Sequence, residues 1–221
     1  PLLPETFKEF EIRTGHPILE RYGMTETGIN ASNPLIGTRM PGTVGQVLPG
    51  TTAQIVDDAG KIVASGEAGN LQVKGDNVFS GYWKMPEKTA EDFTSDGFFN
   101  TGDKAIINNQ GYISIVGRSK DMIISGGLNI YPREIELVID QIPGVIESAV
   151  IGTADHDFGE KVVAVVASKD SKINAERVIL ACRSKLASFK SPKAVHFTDE
   201  LPRNAMGKVQ KNLLRNQFAD S

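Results

Sequence analysis

The sequence predicts a mixed α/β and α+β fold, with a β-rich first part followed by a small α+β domain. Residues 52–116 contain short strand-like runs separated by Gly, Asn and Asp turns, which is typical of antiparallel sheet. From Pro132 onward, amphipathic helix patterns alternate with continuous apolar runs. The chain has 221 residues, enough for two domains. We therefore place one domain portion at residues 1–119 and a second domain at residues 120–221.

The composition excludes several partners and locations. The formal net charge is -3 at pH 7, so we expect neither nucleic acid nor an anionic membrane as a partner. No apolar run approaches the roughly 18 residues needed to cross a bilayer, and the N-terminal segment lacks the pattern of a signal peptide. The single cysteine, Cys182, fits a reducing compartment and lies on a helical apolar stripe. We expect a soluble cytoplasmic protein, with an organelle matrix as the alternative.

In the first part, residues 4–14 show helical spacing of apolar residues, and Gly15 is the expected stop. A short strand is predicted at 18–21, and the motif YGMTETG is expected on the loop after it. Runs at 105–108 and 112–116 predict a β-hairpin. The motif TGD at residues 101–103 is predicted to be a turn before that hairpin.

The stretch GRSKDMIISGGLNIYPREIE, residues 117–136, leads into the second part and predicts a strand, a turn at Gly126 and Gly127, and a helix that begins at Pro132. Apolar runs at 145–151 and 161–167 predict buried strands. A second helix is expected over residues 175–186, and a third strand over residues 194–197. These elements are enough to bury a core of their own.

The YGMTE motif combines side chains that suit a nucleotide. Tyr22 offers an aromatic face to a base, and Gly23 allows close approach. Thr25 supplies a hydroxyl, and Glu26 a carboxylate of the kind that holds Mg²⁺ beside phosphate oxygens. A Thr-Glu pair that caps a turn is the alternative for the motif taken alone.

Four further residues carry plausible chemistry. The carboxylate of Asp103 can accept hydrogen bonds from both hydroxyls of a ribose cis-diol. Arg118 follows the second hairpin strand and is a potential ribose or phosphate contact. Lys208 lies on the glycine-bearing loop PRNAMGK, from which an ammonium can reach into a cleft. Lys211 suits either a phosphate or a structural contact. Ordinary surface roles remain open for each residue in isolation.

The four motifs YGMTE, TGD, GRSKD and PRNAMGK stand in the same order and at similar spacings as in adenylate-forming acyl-CoA synthetases. The chain resembles the C-terminal part of that superfamily from about Pro4 to Arg215. The resemblance implies the C-terminal portion of a large adenylation domain followed by a small mobile domain. It also implies that an N-terminal part with the Ser/Thr/Gly-rich phosphate loop is missing, so we expect this chain not to catalyse alone.

The resemblance assigns roles around ATP and its Mg²⁺ ion. It implies that Tyr22 packs against adenine with Gly23 alongside, and that Thr25 binds the α-phosphate. It further implies that Glu26 ligates Mg²⁺ and that Asp103 binds the ribose of ATP or AMP.

The resemblance also assigns roles to the later motifs. Arg118 is expected to contact the nucleotide beside the ribose, and Lys120 occupies the hinge position. Gly126 and Gly127 would let the backbone lie beside the pantetheine arm of coenzyme A. Lys208 would hold the substrate carboxylate against the α-phosphate and neutralise charge in the transition state.

The acid substrate remains open between several interpretations. The tract LERYGMTETGINASNP looks most like malonyl-CoA synthetases, and Arg21 is a candidate to pair with a distal carboxylate. A ligase for another short, fatty or aromatic acid is the alternative, and so is an adenylation unit that loads a carrier protein. Asn70 and Lys104 depart from the superfamily pattern, which is commonly Glu and an apolar residue at these positions.

Overall fold

The computed structural model describes residue 2 and residues 4–219. The chain divides into two compact units, Pro1–Ser119 and Lys120–Ser221. Mixed sheets and helices form both units, which confirms the predicted fold class. Within the described residues, none of the helices has the length and apolar character needed to cross a membrane.

The first unit is β-rich. Its elements in chain order are α1 (Pro4–Thr14), β1 (Arg21–Met24), β2 (Gly28–Ser32), β3 (Gln46–Val47), β4 (Thr51–Val56), β5 (Ala68–Gly75), α2 (Pro86–Asp92), β6 (Phe99–Ile107) and β7 (Ile113–Arg118). Strands β1, β2 and β3 form one antiparallel sheet, and β4, β5, β6 and β7 form another in that order. Leu71, Val73 and Phe99 lie at the centre of the core that the two sheets share.

Three expectations for the first unit were wrong. The strand predicted at residues 18–21 was placed too early, because β1 begins only at Arg21. Tyr22 and Gly23 therefore belong to a strand and not to a loop, and β2 follows after a turn at residues 25–27. The TGD motif likewise lies inside β6 and is not a turn. In both cases the motif lies at an irregularity of a ladder, since the register shifts between Tyr22 and Gly23 and the pairing of β5 with β6 skips residues 101–103.

The second unit contains a sheet covered on both faces. Its elements are a 3₁₀ turn (Ser119–Asp121, shared with the end of the first unit), β8 (Ile123–Ser125), β9 (Leu128–Ile130), α3 (Pro132–Ile139), β10 (Val145–Asp155), β11 (Gly159–Ser168), α4 (Ala175–Lys185), a second 3₁₀ turn (Ser188–Lys190), β12 (Ala194–Thr198) and α5 (Lys211–Gln217). The sheet order is β10-β11-β8-β9, and β12 pairs parallel with β11.

The apolar runs of β10 and β11 explain why both faces of this sheet are covered. Successive residues of a strand point to opposite faces, so a continuous apolar run needs a core on each side. Val150 and Ala164, which are paired across the two strands, face the core that contains α3 and α4. Ile151 and Val163, the next pair, face the core that contains Leu214 of α5. Continuous burial of this kind confirms the predicted strands at 145–151 and 161–167.

Gly126 and Gly127 form a different turn from the one expected. They join β8 to β9 as a two-residue hairpin turn, with Ser125 opposite Leu128 and φ values of +57° and +76°. Positive φ at both central residues is the requirement of a type I′ turn, which glycine meets without strain. The predicted order of strand, glycine turn and helix therefore lacked β9, which lies between the turn and α3.

Candidate active site

Tyr22, Asp103 and Arg118 come together in the first unit. The Tyr22 hydroxyl donates to Asp103 Oδ2 at 2.5 Å, and Arg118 Nε lies 3.1 Å from Asp103 Oδ1. Asp103 and Arg118 are opposite each other on β6 and β7, so strand register brings them into contact. The side chains of these three residues form a cluster, which is called the nucleotide cluster after the role that the sequence predicts for it.

Burial and charge both act on Tyr22. Burial raises the pKa of Tyr22 well above its usual range, and the adjacent Asp103 charge and hydrogen bond raise it further. The tyrosine is therefore a neutral donor at physiological pH. Asp103 uses one oxygen for Tyr22 and the other for Arg118, and each carboxylate oxygen has a second lone pair that can accept another donor.

The backbone beside Asp103 is also fixed. Thr101 Oγ1 donates to the Leu71 carbonyl at 2.8 Å and accepts from the Asp103 N–H at 3.2 Å. Gly102 has a φ of +72°, which favours glycine at this position. The strand thus presents Asp103 in one orientation before any ligand arrives.

Gly23 has a structural reason to be glycine. A Cβ atom built at this position would lie 2.1 Å from the carbonyl oxygen of Gly28 on the paired strand. The backbone of the paired strand, at Gly28, is therefore what lies close to Gly23 in this structure. Contact of Gly23 with a cofactor stays a prediction.

Glu26 lies beside a residue that the sequence did not single out for the site. The Tyr82 hydroxyl donates to Glu26 Oε1 at 3.3 Å. Burial raises the pKa of Tyr82 to about 12, and the charges of Glu26 and Asp92 act in the same direction. No sequence signal links Tyr82 to Glu26, because the contact depends on how the loop before α2 packs.

The remaining candidates of the first unit have fewer constraints. Thr25 is exposed in the turn after β1, and Arg21 is exposed at the start of β1.

The two departures from the superfamily pattern contact the same carboxylate. Lys104, with a side chain only 4% exposed, lies 3.0 Å from Asp58 Oδ1, and Asn70 Nδ2 donates to that oxygen at 3.0 Å. The Asn70 hydrogen bond and then the Lys104 contact lower the pKa of Asp58. The two side chains therefore share one carboxylate as their partner, and each has a local structural contact.

Lys120 is exposed between two residues that are each tied within their own unit. Ser119 Oγ donates to Asn70 Oδ1 at 3.3 Å, and Arg215 Nη2 lies 2.9 Å from Asp121 Oδ1. Lys120 itself lies in the 3₁₀ turn Ser119–Asp121, between these two anchored residues. Its role as a hinge stays a prediction.

Lys208 lies on a turn with a fixed backbone. The Lys208 N–H donates to Asn204 Oδ1 at 2.9 Å, and its carbonyl accepts from the Asn204 N–H at 2.9 Å. Gly207 has a φ of +76°, and the Lys208 side chain is exposed. The Lys211 ammonium, in contrast, lies 2.6 Å from Glu136 Oε1. Of the two roles predicted for Lys211, this ion pair favours the structural contact over the phosphate contact.

Comparison with known proteins identifies two matching family models. Residues 1–83 match the AMP-binding enzyme model, and residues 134–208 match the AMP-binding enzyme C-terminal domain. A long-chain-fatty-acid–CoA ligase of Escherichia coli O6:H1 is 41% identical over 92% of this chain and 36% of its own length. A malonate–CoA ligase of Arabidopsis thaliana is 42% identical over 94% of this chain and 36% of its own length.

A solved structure agrees with these matches. The crystal structure of ATP-bound MatB from Rhodopseudomonas palustris has a TM-score of 0.96 and 54% identity, covering 100% of this chain and 44% of that chain. The chain thus spans well under half the length of the relatives that it matches. The chain belongs to the AMP-binding enzyme family, and its second unit carries that family's C-terminal domain.

Proposed function

We propose that this chain works as part of an ATP-dependent acid–CoA ligase. In the first step a carboxylate oxygen of the acid attacks the α-phosphorus of ATP, and pyrophosphate leaves. In the second step the sulfur of coenzyme A attacks the acyl carbon, and AMP leaves. The observation that carries the proposal is the exposed Lys208 on a fixed turn, in a chain that matches both domains of the family.

The nucleotide cluster suits the ribose of ATP. Asp103 is held by Tyr22 and Arg118, so its free lone pairs are oriented before the diol binds. Preorientation of this kind lowers the ordering cost of binding. Tyr22 supplies an aromatic surface for adenine, Gly23 lies beside it, and Thr25 is exposed where it can donate to the α-phosphate.

Glu26 fits a Mg²⁺ ion that takes most of its ligands from water and phosphate. Mg²⁺ in nucleotide sites is commonly held through one or two carboxylates, and Glu26 is such a carboxylate with one oxygen oriented by Tyr82. Residues 2 and 4–219 contain no group of three or more His, Cys, Asp or Glu side chains that would form an all-protein site. When bound, the ion would offset charge on the departing pyrophosphate.

Lys208 acts on the first step. Its ammonium would pair with the acid carboxylate and with the charge that develops at the α-phosphate. For the second step, a change of backbone dihedrals at Lys120 would present the hairpin turn at Gly126 and Gly127 to the pantetheine arm. The exposure of both glycines supports the assignment.

Malonate is the acid that we favour. The malonate–CoA ligase of Arabidopsis supports this choice, although the fatty-acid ligase of Escherichia coli is almost equally similar. Arg21 is the candidate partner of the distal carboxylate. A panel of malonate, acetate, a long-chain fatty acid and benzoate, assayed with the complete enzyme, should give malonate the highest kcat/KM. A clear preference for another acid, or transfer to a carrier protein in place of CoA, would contradict this choice.

Replacement of Lys208 by Ala tests the mechanism. In the complete enzyme we expect ATP–pyrophosphate exchange to fall by about 10²–10³-fold, because one preorganised charge is removed. Thioester formation from supplied acyl-adenylate should be largely retained. Equal loss of both steps would contradict the assignment of Lys208 to adenylation.

A further inference from the structure

The loop that carries Lys208 is attached to the sheet of the second unit by a guanidinium. Arg203 Nη1 donates to the Gly207 carbonyl at 2.5 Å, and Arg203 Nη2 forms a short ion pair with Glu147 of β10. Gly207 immediately precedes Lys208. One planar side chain therefore connects the backbone next to Lys208 to a strand of the core.

The interior of the loop is held by Asn204. Its side-chain oxygen accepts from the N–H groups of Met206 at 3.0 Å and of Lys208 at 2.9 Å. A backbone bridge between Arg203 and Val209 closes the base of the turn. These bonds lie within the loop, so they define its shape but do not set its direction relative to the sheet.

The other end of the loop is attached independently. Lys211 begins α5 and pairs with Glu136, which also accepts from the Val150 N–H at 3.0 Å. Leu214 of α5 is buried in the core under β10 and β11. The C-terminal end of the loop thus stays in place whether or not Arg203 is paired.

From this arrangement we propose that Arg203 and Glu147 are positioning residues for the adenylation step, because they fix the direction in which Lys208 leaves the sheet. The inference rests on the proposed function of Lys208. The side chains of Arg203 and Glu147 are 45% and 28% exposed, and ion pairs at such positions contribute little to unfolding free energy. Their loss should therefore affect the placement of the turn more than the stability of the unit.

The test uses Arg203→Met and Glu147→Gln in the complete enzyme. We expect kcat for ATP–pyrophosphate exchange to fall about tenfold in each variant with KM for ATP nearly unchanged, because small misplacement of a catalytic group costs rate. Thioester formation from supplied acyl-adenylate should also be nearly unchanged. Arg203→Lys, which keeps a donor toward Glu147, should recover part of the rate.

Two controls separate positioning from general damage. Lys185→Met removes a surface contact with Gln141 in the same unit and should leave both steps unchanged. In a Lys208→Ala background, Arg203→Met should cause no further loss of adenylation. Equal loss of both steps, or additive loss in that background, would overturn the inference. If Lys208→Ala does not lower the rate of ATP–pyrophosphate exchange, the proposed function itself fails. If Lys208→Ala lowers that rate but Arg203→Met does not, only this inference fails.

Discussion

The two units present their candidate residues in opposite ways. In the first unit, Tyr22, Asp103 and Arg118 hold one another by side-chain contacts, so the functional groups themselves are fixed. In the second unit, the backbone around Lys208 is fixed while its side chain is exposed. The difference suits the two tasks that we propose, because fixed groups bind a nucleotide at a low ordering cost, whereas an ammonium on a flexible stem can extend toward a carboxylate and a phosphate.

The largest expected effect concerns the close backbone approach in the first unit. Gly23→Ala should lower the unfolding free energy of this unit by about 3 kcal/mol, because its Cβ would meet the Gly28 carbonyl at 2.1 Å. Gly207→Ala, at a turn with open space, should cost only about 1 kcal/mol for its positive φ. Hydrogen exchange resolved by unit, measured in increasing urea, would check both values. Equal losses of unfolding free energy in the two variants would contradict the prediction that Gly23 is the more constrained position.

A smaller effect is expected from pH, and it belongs to the second unit. Burial raises the pKa of Asp140 from 3.8 to about 6, while the Ser148 hydrogen bond and the Arg133 charge oppose the shift. Between about pH 4 and pH 6 the unfolded chain is ionised but the folded chain keeps the proton, so stability falls as pH rises through this window.

Asp140→Asn should remove that pH dependence. Relative to the native chain, the variant should gain about 2–3 kcal/mol between about pH 4 and pH 7. Asp199→Asn, at an exposed position in the same unit, is the matched control and should gain nothing. Urea unfolding at several pH values measures the difference, and parallel curves for the native chain and Asp140→Asn would refute the prediction.

A still smaller effect, on KM for ATP, is expected from a change in the nucleotide cluster. Tyr22→Phe removes the 2.5 Å hydrogen bond to Asp103 and should raise KM for ATP about fivefold, equivalent to roughly 1 kcal/mol, with kcat little changed. Tyr112→Phe is the control, since its hydroxyl contacts the Thr38 carbonyl elsewhere in the unit. Steady-state kinetics of the complete enzyme would measure both, and an unchanged KM in Tyr22→Phe would separate Asp103 from ribose binding.

The amino-acid sequence alone was sufficient to predict several buried segments and the family to which the motifs belong. Apolar periodicity is a local property, so it predicted the buried face of α3 and the covered strands β10 and β11. The order of the motifs likewise identified the family. Short strands without alternation gave a weaker signal, since β1 was predicted at residues 18–21 and β9 was not predicted.

The contacts between distant side chains became visible only in the folded chain. Tyr22 and Asp103 are 81 positions apart, and Arg203 and Glu147 are 56 apart. Such contacts depend on strand register and on the packing of whole elements, which no local pattern records. For the same reason Tyr82 beside Glu26, and the shared contact of Asn70 and Lys104 with Asp58, became visible only once the chain was folded.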